Sequence, residues 1–221
     1  MPNNFPFDAV LWDMDGTLID SEPLWIEEEY RLMQSLGAEW NDEDARHCIG
    51  GPLVRVDEYM RTKLPGQFKP LELTEMLTAR MIERFLQPIP FATGAAELLH
   101  ELHRHDVPMA LVSASPGAMV RGALASIPHG IFRAVISNDD VSRPKPDPEG
   151  YIKAASDLGI DIRRSIVLED SITGVTAAMQ AGAFVLGIAH AQELPSGPRI
   201  HHRKSLEGIT PHHLTEFFAL V

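Results

Sequence analysis

Short apolar runs alternate with helical segments along most of this chain, and one long helical stretch interrupts the alternation. Phe7–Trp12, Val107–Val112, Ala134–Ser137, Ser165–Leu168 and Phe184–Ile188 are apolar runs of strand length. Between and after them, Thr93–Arg104, Pro116–Ser126, Pro148–Leu158 and Ile172–Ala181 carry helical periodicity. Strands alternating with helices predict βαβ units, and therefore a parallel, doubly wound sheet in an α/β fold. Pro116 and Pro148 suit the first turn of a helix, where a missing N–H is harmless, and Gly159 and Gly182 suit left-handed helix ends. No strand pattern occurs between Ser21 and Pro90. There Trp25–Leu36, Val54–Leu64 and Leu71–Leu86 read as helices, broken at Gly50-Gly51-Pro52 and at Leu64-Pro65-Gly66. That is too much helix for one crossover. The expectation is a core of residues 1–20 and 90–221 carrying an inserted α-helical cap, residues 21–89, hinged near Asp20–Glu22 and Pro88–Pro90. Ala189–Lys204 reads as a polar loop, before a final strand or turn and a short helix near Pro211–Leu220.

Composition narrows the function. With 44% apolar and 23% charged residues, the chain holds enough apolar material for a core, which excludes a disordered one. A net charge of −12 disfavours nucleic acid and anionic membrane as partners. It does not exclude a small anionic substrate, because a metal or a lysine can invert the field inside one pocket. Cys48 is the single cysteine, so no internal disulfide forms. Met1–Asp8 has neither a basic start nor an apolar run, and no stretch is long enough to span a bilayer. A cytoplasmic protein, monomeric by default, is expected.

Residues able to do chemistry gather at the ends of the predicted strands. Asp13-Met14-Asp15-Gly16-Thr17 follows the first strand directly, where α/β sheets bind their ligands. Two acids at i and i+2 can divide labour between attack or metal binding and proton transfer. Such a cluster can equally be an ordinary acidic turn, but not a calcium loop. Leu18 and Leu24 stand where that loop needs glycine and glutamate. Ser113 ends the second strand before Pro116-Gly117. It is either a phosphate ligand beside helix N–H groups or a plain helix cap. Lys145, in Arg143-Pro144-Lys145-Pro146-Asp147-Pro148, is either a fixed charge for a phosphate or a solvated loop lysine. Glu169-Asp170 close the fourth strand. With Asp13 and Asp15 they would repel strongly unless a cation sat among them, and oxygen-only ligands suit Mg²⁺.

The histidines fit structural roles. His100-Glu101-Leu102-His103-Arg104 has arginine where the HExxH zinc motif needs histidine, and His201-His202 and His212-His213 lack ligand partners at suitable spacing. Trp25 and Trp40 are expected in the core of the cap, or on the floor of a substrate pocket. Cys48 lies in no nucleophile motif.

Asp13-x-Asp15-Gly16-Thr17 after strand one, Ser113 after strand two, Lys145-Pro146 in the next loop and Glu169-Asp170 after strand four resemble the haloacid dehalogenase-like hydrolase superfamily. The resemblance covers nearly the whole chain. With the cap after the first motif, Lys145-Pro146-x-Pro148-x-x-Tyr151 and Glu169-Asp170-Ser171, it looks like the branch of β-phosphoglucomutase and small sugar-phosphate phosphatases. It implies a Rossmann-like core and Asp13 as a nucleophile that takes up the phosphoryl group. It implies Asp15 as general acid and then base, with Ser113, the Ala114 amide and Lys145 holding the phosphoryl group. Mg²⁺ is implied on Asp13, the Asp15 carbonyl, Asp170 and, directly or through water, Glu169. Asp15 separates the chain from the dehalogenases of this fold and points to a phosphate ester. In the mutases a histidine and a cap arginine occupy the positions matched here by Trp25 and by Pro52 or Leu53, although Arg55 is near. The expected activity is Mg²⁺-dependent hydrolysis of a small phosphorylated metabolite. A hexose phosphomutase and a catalytically silent binding protein are the alternatives.

Overall fold

The structure is a computed structural model that describes residues 5–49, 53–125, 127–189 and 193–219. The expected break at Gly50-Gly51-Pro52, the mutase comparison at Pro52, the first residues of the Met1–Asp8 reading, the helix end at Ser126 and the end of the last helix at Leu220 lie outside those residues. In chain order the elements are β1 (Ala9–Trp12), α1 (Glu22–Ser35), α2 (Asp42–Cys48), α3 (Leu53–Lys63), α4 (Glu72–Arg84) and α5 (Ala95–Arg104). There follow β2 (Met109–Val112), α6 (Gly117–Leu124), β3 (Ala134–Ile136), α7 (Glu149–Leu158) and β4 (Ser165–Glu169). Then come α8 (Ile172–Ala181), β5 (Phe184–Ile188), β6 (Ile200–Arg203) and α9 (Pro211–Ala219). The chain divides into two compact units, Met1–Asp20 with Ile89–Val221, and Ser21–Pro88.

The larger unit is built on a six-stranded sheet in the order β3-β2-β1-β4-β5-β6, every pairing parallel. β1, β2, β4 and β5 are buried at every residue, which is why they read as unbroken apolar runs rather than as alternation. Leu11, Val112, Val167 and Val185 pack on one face with Tyr151 and Ala154 of α7 and Val175 and Ala178 of α8. At roughly 1.5–3 kcal/mol for each large side chain removed from water, this layer contributes substantially to the unit's stability. The helix ends follow the expected chemistry at Gly159 and Gly182, both left-handed. The prolines sit one step earlier than expected. Pro116 and Pro148 are the N-cap residues of α6 and α7, not members of their first turns.

The final strand, expected beyond Lys204, lies inside the segment read as a polar loop. Ile200–Arg203 forms β6, paired with β5 at the sheet edge. Its residues are only partly buried, so no apolar run announced it.

The smaller unit holds four helices among its described residues, one more than expected. α2 was hidden by its polar composition. Its signature is the capping box, in which Asn41 Oδ1 accepts from the Glu43 and Asp44 N–H groups while Asp44 accepts from the Asn41 N–H. Leu32, Met33, Cys48, Val56, Met60, Leu73 and Leu77 form the core of this unit, with Trp25 and Trp40 packed against it. α4 begins at Glu72 rather than at Leu71, because the buried carboxylate of Asp57 accepts from the Leu71 and Thr74 N–H groups at 3.0 and 3.2 Å. A side chain from α3 therefore supplies the cap that the local sequence lacks.

Candidate active site

Strand order decides where the site forms. β1 is flanked by β2 on one side and β4 on the other, so the chain winds away in opposite directions and a crevice opens at the carboxyl ends of these strands. Register sets Trp12 beside Leu111 and beside Leu168. Asp13, Ser113 and Glu169 therefore arrive at one sheet edge from strands distant in sequence. Asp13, Ser113 and Glu169 are all buried.

Lys145 enters from the loop before α7, and its ammonium closes the group. Its Nζ lies 2.6 Å from Asp13 Oδ1 and 2.7 Å from Glu169 Oε1, and it donates to the Val112 carbonyl at 2.9 Å. The side chain is 7% exposed, so the solvated-loop alternative is excluded. Burial opposes its charge, but the carboxylates of Asp13 and Glu169 outweigh burial and hold the ammonium protonated, well above the usual lysine range.

Glu169 is held on both oxygens. Oε1 accepts from Lys145 and from the buried Tyr151 hydroxyl at 2.9 Å. Oε2 accepts from the Ser171 N–H and hydroxyl, each at 3.0 Å. Nothing local in the sequence assigns Tyr151 a role of its own; its hydroxyl fixes Glu169, and its ring also lies beneath the Lys145 ammonium at 5.0 Å.

Asp13, Glu169 and Asp170 bring carboxylate oxygens within 4.8 Å of one another. Burial first, and repulsion from Glu169 second, push Asp13 well above the ordinary carboxylate range and Asp170 up to about 8. A hard divalent cation relieves this repulsion, and the all-oxygen donor set fits Mg²⁺. Since Lys145, Tyr151 and Ser171 already engage both Glu169 oxygens, Asp13 and Asp170 are the carboxylates better placed to touch a cation directly.

Asp15 is not one of those three carboxylates, although its charge adds to the repulsion felt by Asp170. Its Oδ2 accepts a hydrogen bond from Ser115 Oγ at 2.7 Å. Ser113 is not a helix cap, because α6 begins at Gly117 behind Pro116; its hydroxyl instead accepts from the Ser115 N–H at 2.9 Å. Ala114 is exposed beside it.

Two glycines make room for the carboxylates. Gly16 has φ +81°, and a Cβ there would also overlap the Asp170 carboxylate. Gly174 lies in the first turn of α8, and a Cβ there would overlap the carboxylate of Glu169. A glycine inside a helix is the signal that could have pointed to this close approach. Ordinarily Gly→Ala in a helix stabilises by about 0.5–1 kcal/mol. Here Gly174→Ala is expected to reverse the sign and cost on the order of 1–3 kcal/mol, the usual penalty for overpacking. Thermal denaturation checks it; a variant at least as stable as wild type would show that the carboxylate moves aside freely.

A family model for haloacid dehalogenase-like hydrolases matches residues 10–188. The chain belongs to that family. It is 34% identical to validoxylamine A 7'-phosphate phosphatase of Streptomyces hygroscopicus subsp. limoneus, over 82% of this chain and 85% of that protein. It is 32% identical to hexitol phosphatase B of Escherichia coli (strain K12), over 86% and 87% of the two chains. Among solved structures, CbbY from Rhodobacter sphaeroides in complex with phosphate shares the fold, with a TM-score of 0.72 at 24% identity, covering 92% of this chain and 96% of that one. The six-stranded parallel sheet of this hydrolase is thus that of an α/β haloacid dehalogenase-like fold. Among the described residues, no helix is long and apolar enough to cross a membrane.

Proposed function

We propose that this hydrolase removes phosphate from a small phosphorylated metabolite, with a sugar phosphate as the leading class, through a phosphoryl group carried on Asp13. The observation that carries the reading is the Lys145 ammonium 2.6 Å from Asp13 Oδ1, with Asp15 on the same loop two residues on. In the first step an Asp13 oxygen attacks phosphorus, and the P–O bond to the alcohol breaks. The electron pair left on the alcohol oxygen takes a proton from Asp15. In the second step Asp15, now a carboxylate, takes a proton from water as the water oxygen bonds to phosphorus and Asp13 departs. Ser113 and the Ala114 N–H hold the phosphoryl oxygens, and Lys145 neutralises both these and Asp13. Asp13, Asp170 and the Asp15 carbonyl would hold Mg²⁺, with Glu169 behind them, and when bound it supplies charge neutralisation for the phosphoryl oxygens. The names of the two curated relatives, each a phosphatase, support the substrate class. Trp25, at the position where the mutases carry a histidine, favours transfer to water over transfer to a second sugar hydroxyl.

The test is incubation with β-glucose 1-phosphate and Mg²⁺, with both products assayed. Inorganic phosphate is expected as the main product, lost with a chelator and restored by added Mg²⁺. Glucose 6-phosphate forming faster than phosphate would replace the phosphatase by a mutase.

A further inference from the structure

Ser115 bridges two parts of the site that the sequence treats separately. Its hydroxyl donates to Asp15 Oδ2 at 2.7 Å, and its backbone N–H donates to Ser113 Oγ at 2.9 Å. Its own carbonyl accepts from the Asn138 N–H at 3.1 Å, which ties the residue to the segment after β3. The next helix is tied to the same segment, since the Gly117 N–H donates to Asp139 Oδ2 at 3.0 Å. Ser115 is therefore held on its backbone before its side chain is used, so little rotamer freedom remains to be lost in aiming its hydroxyl. A hydroxyl with a single hydrogen, spent on Oδ2, also decides which carboxyl oxygen is the acceptor. With the Ser115 hydrogen on Oδ2, the proton that Asp15 delivers is carried on Oδ1.

The geometry points to Ser115 as the positioning residue for the general acid. Its hydroxyl orients Asp15 so that the proton on Oδ1 faces the leaving-group oxygen, while its N–H aims Ser113 at the phosphoryl group. This inference rests on the reading of Asp15 as general acid. Ser115 keeps its own proton throughout; the transferred proton goes from Asp15 Oδ1 to the alcohol oxygen as the P–O bond breaks. Because one short backbone segment sets both contacts, the phosphoryl group and the acid are brought into line together. The contact is short at 2.7 Å, and it becomes charge-assisted once Asp15 has given up its proton and stands as the carboxylate that activates water.

The consequence is a dependence on leaving group. An ester whose alcohol departs as a stable anion needs little help from an acid; an alkyl phosphate needs it fully. The experiment measures kcat/KM, which reports steps up to the first phosphoryl transfer, for p-nitrophenyl phosphate, phenyl phosphate and an alkyl phosphate such as glycerol 2-phosphate. Wild type, Ser115→Ala, Ser115→Thr and Asp15→Asn are compared. Ser115→Ala is expected to lower kcat/KM for p-nitrophenyl phosphate by about 3-fold but for glycerol 2-phosphate by about 30-fold or more, within the range attributed to acid catalysis. Ser115→Thr keeps a hydroxyl on the same backbone and should recover most of the alkyl phosphate activity.

Equal losses on all three esters in Ser115→Ala, or no recovery in Ser115→Thr, would overturn the positioning role and leave a structural one. Asp15→Asn separates this inference from the reading beneath it. If Asp15→Asn steepens the leaving-group dependence and Ser115→Ala does not, only the role of Ser115 fails. If Asp15→Asn leaves the dependence unchanged, the acid itself is misassigned and both fail. Circular dichroism of each variant guards against misfolding. If Ser115→Ala does not fold, Ser115→Cys, whose thiol is only a weak donor, takes its place, and the same steepening of the leaving-group dependence is required of it.

Discussion

Turnover by Asp13→Asn should fall to background while the protein stays folded. Asparagine keeps the shape of the side chain and a carbonyl oxygen that can still face Lys145, so the loss isolates the attacking charge. Removing the nucleophile of a covalent mechanism typically costs on the order of 10⁶-fold, because the remaining groups act only in concert with it. Stability should change little. Burial and Glu169 already push the Asp13 carboxyl well above its ordinary range, so the neutral amide removes an unfavourable ionisation as well as an ion pair. Steady-state assays with phosphate detection measure the rate, and intact-protein mass after brief exposure to substrate checks for the phosphoryl adduct. Residual turnover above a few parts per thousand, in material free of wild-type enzyme and of deamidated product, would remove Asp13 from the role of nucleophile.

Lys145→Met carries the second large effect, and it acts on stability as well as on rate. Methionine fills much of the same volume but leaves Asp13 and the fully buried Glu169 side chain without the ammonium 2.6 and 2.7 Å away. Removing one partner of a buried ion pair typically costs about 3–5 kcal/mol, since the other charge stays buried and uncompensated. For a chain of this size that corresponds to a fall in Tm of roughly 6–20 °C. The sign of the pH dependence follows from Asp13, whose folded carboxyl already lies above its unfolded value and would rise further without Lys145. An acid shifted upward contributes stability that is fully present below its unfolded pKa and is lost as pH rises through the folded one. The deficit of Lys145→Met relative to wild type should therefore be small in mild acid and grow towards neutral and alkaline pH. Tm measured across that range decides it. A deficit that is flat with pH would mean that the ionisation of Asp13 does not depend on this ammonium.

Much of this was legible before any coordinates. β1, β4 and β5 read directly as apolar runs because a parallel sheet covered by helices on both faces buries both sides of its strands. Asp13, Ser113, Lys145 and Glu169-Asp170 stood out because each falls at a strand end or in a stiff proline-flanked loop, and because their order along the chain resembles one family. What stayed hidden had weak local signals. β6 is half exposed and polar, and α2 carries acids and a histidine where a core helix would carry leucine. The start of α4 depends on Asp57, which lies in the preceding helix. Tyr151 was visible as part of a motif, but nothing local said that its hydroxyl would meet Glu169.

The division follows from range. Periodicity, caps and strand-end residues are properties of neighbouring positions, so the sequence alone determined the α/β architecture and pointed to the helical insertion and to the acids at the strand ends. Distances between groups far apart in the chain are set by strand order and register, and those the tertiary structure alone decided. It made Lys145 the buried counter-charge of Asp13 and Glu169 rather than a surface lysine. It reserved the space at Gly174 for a carboxylate, and gave Asp15 its partner in Ser115, 100 positions away. A side chain of a given type can be ion pair, cap or solvated surface with equal local logic; only the packing around it removes the water that would make those choices equivalent.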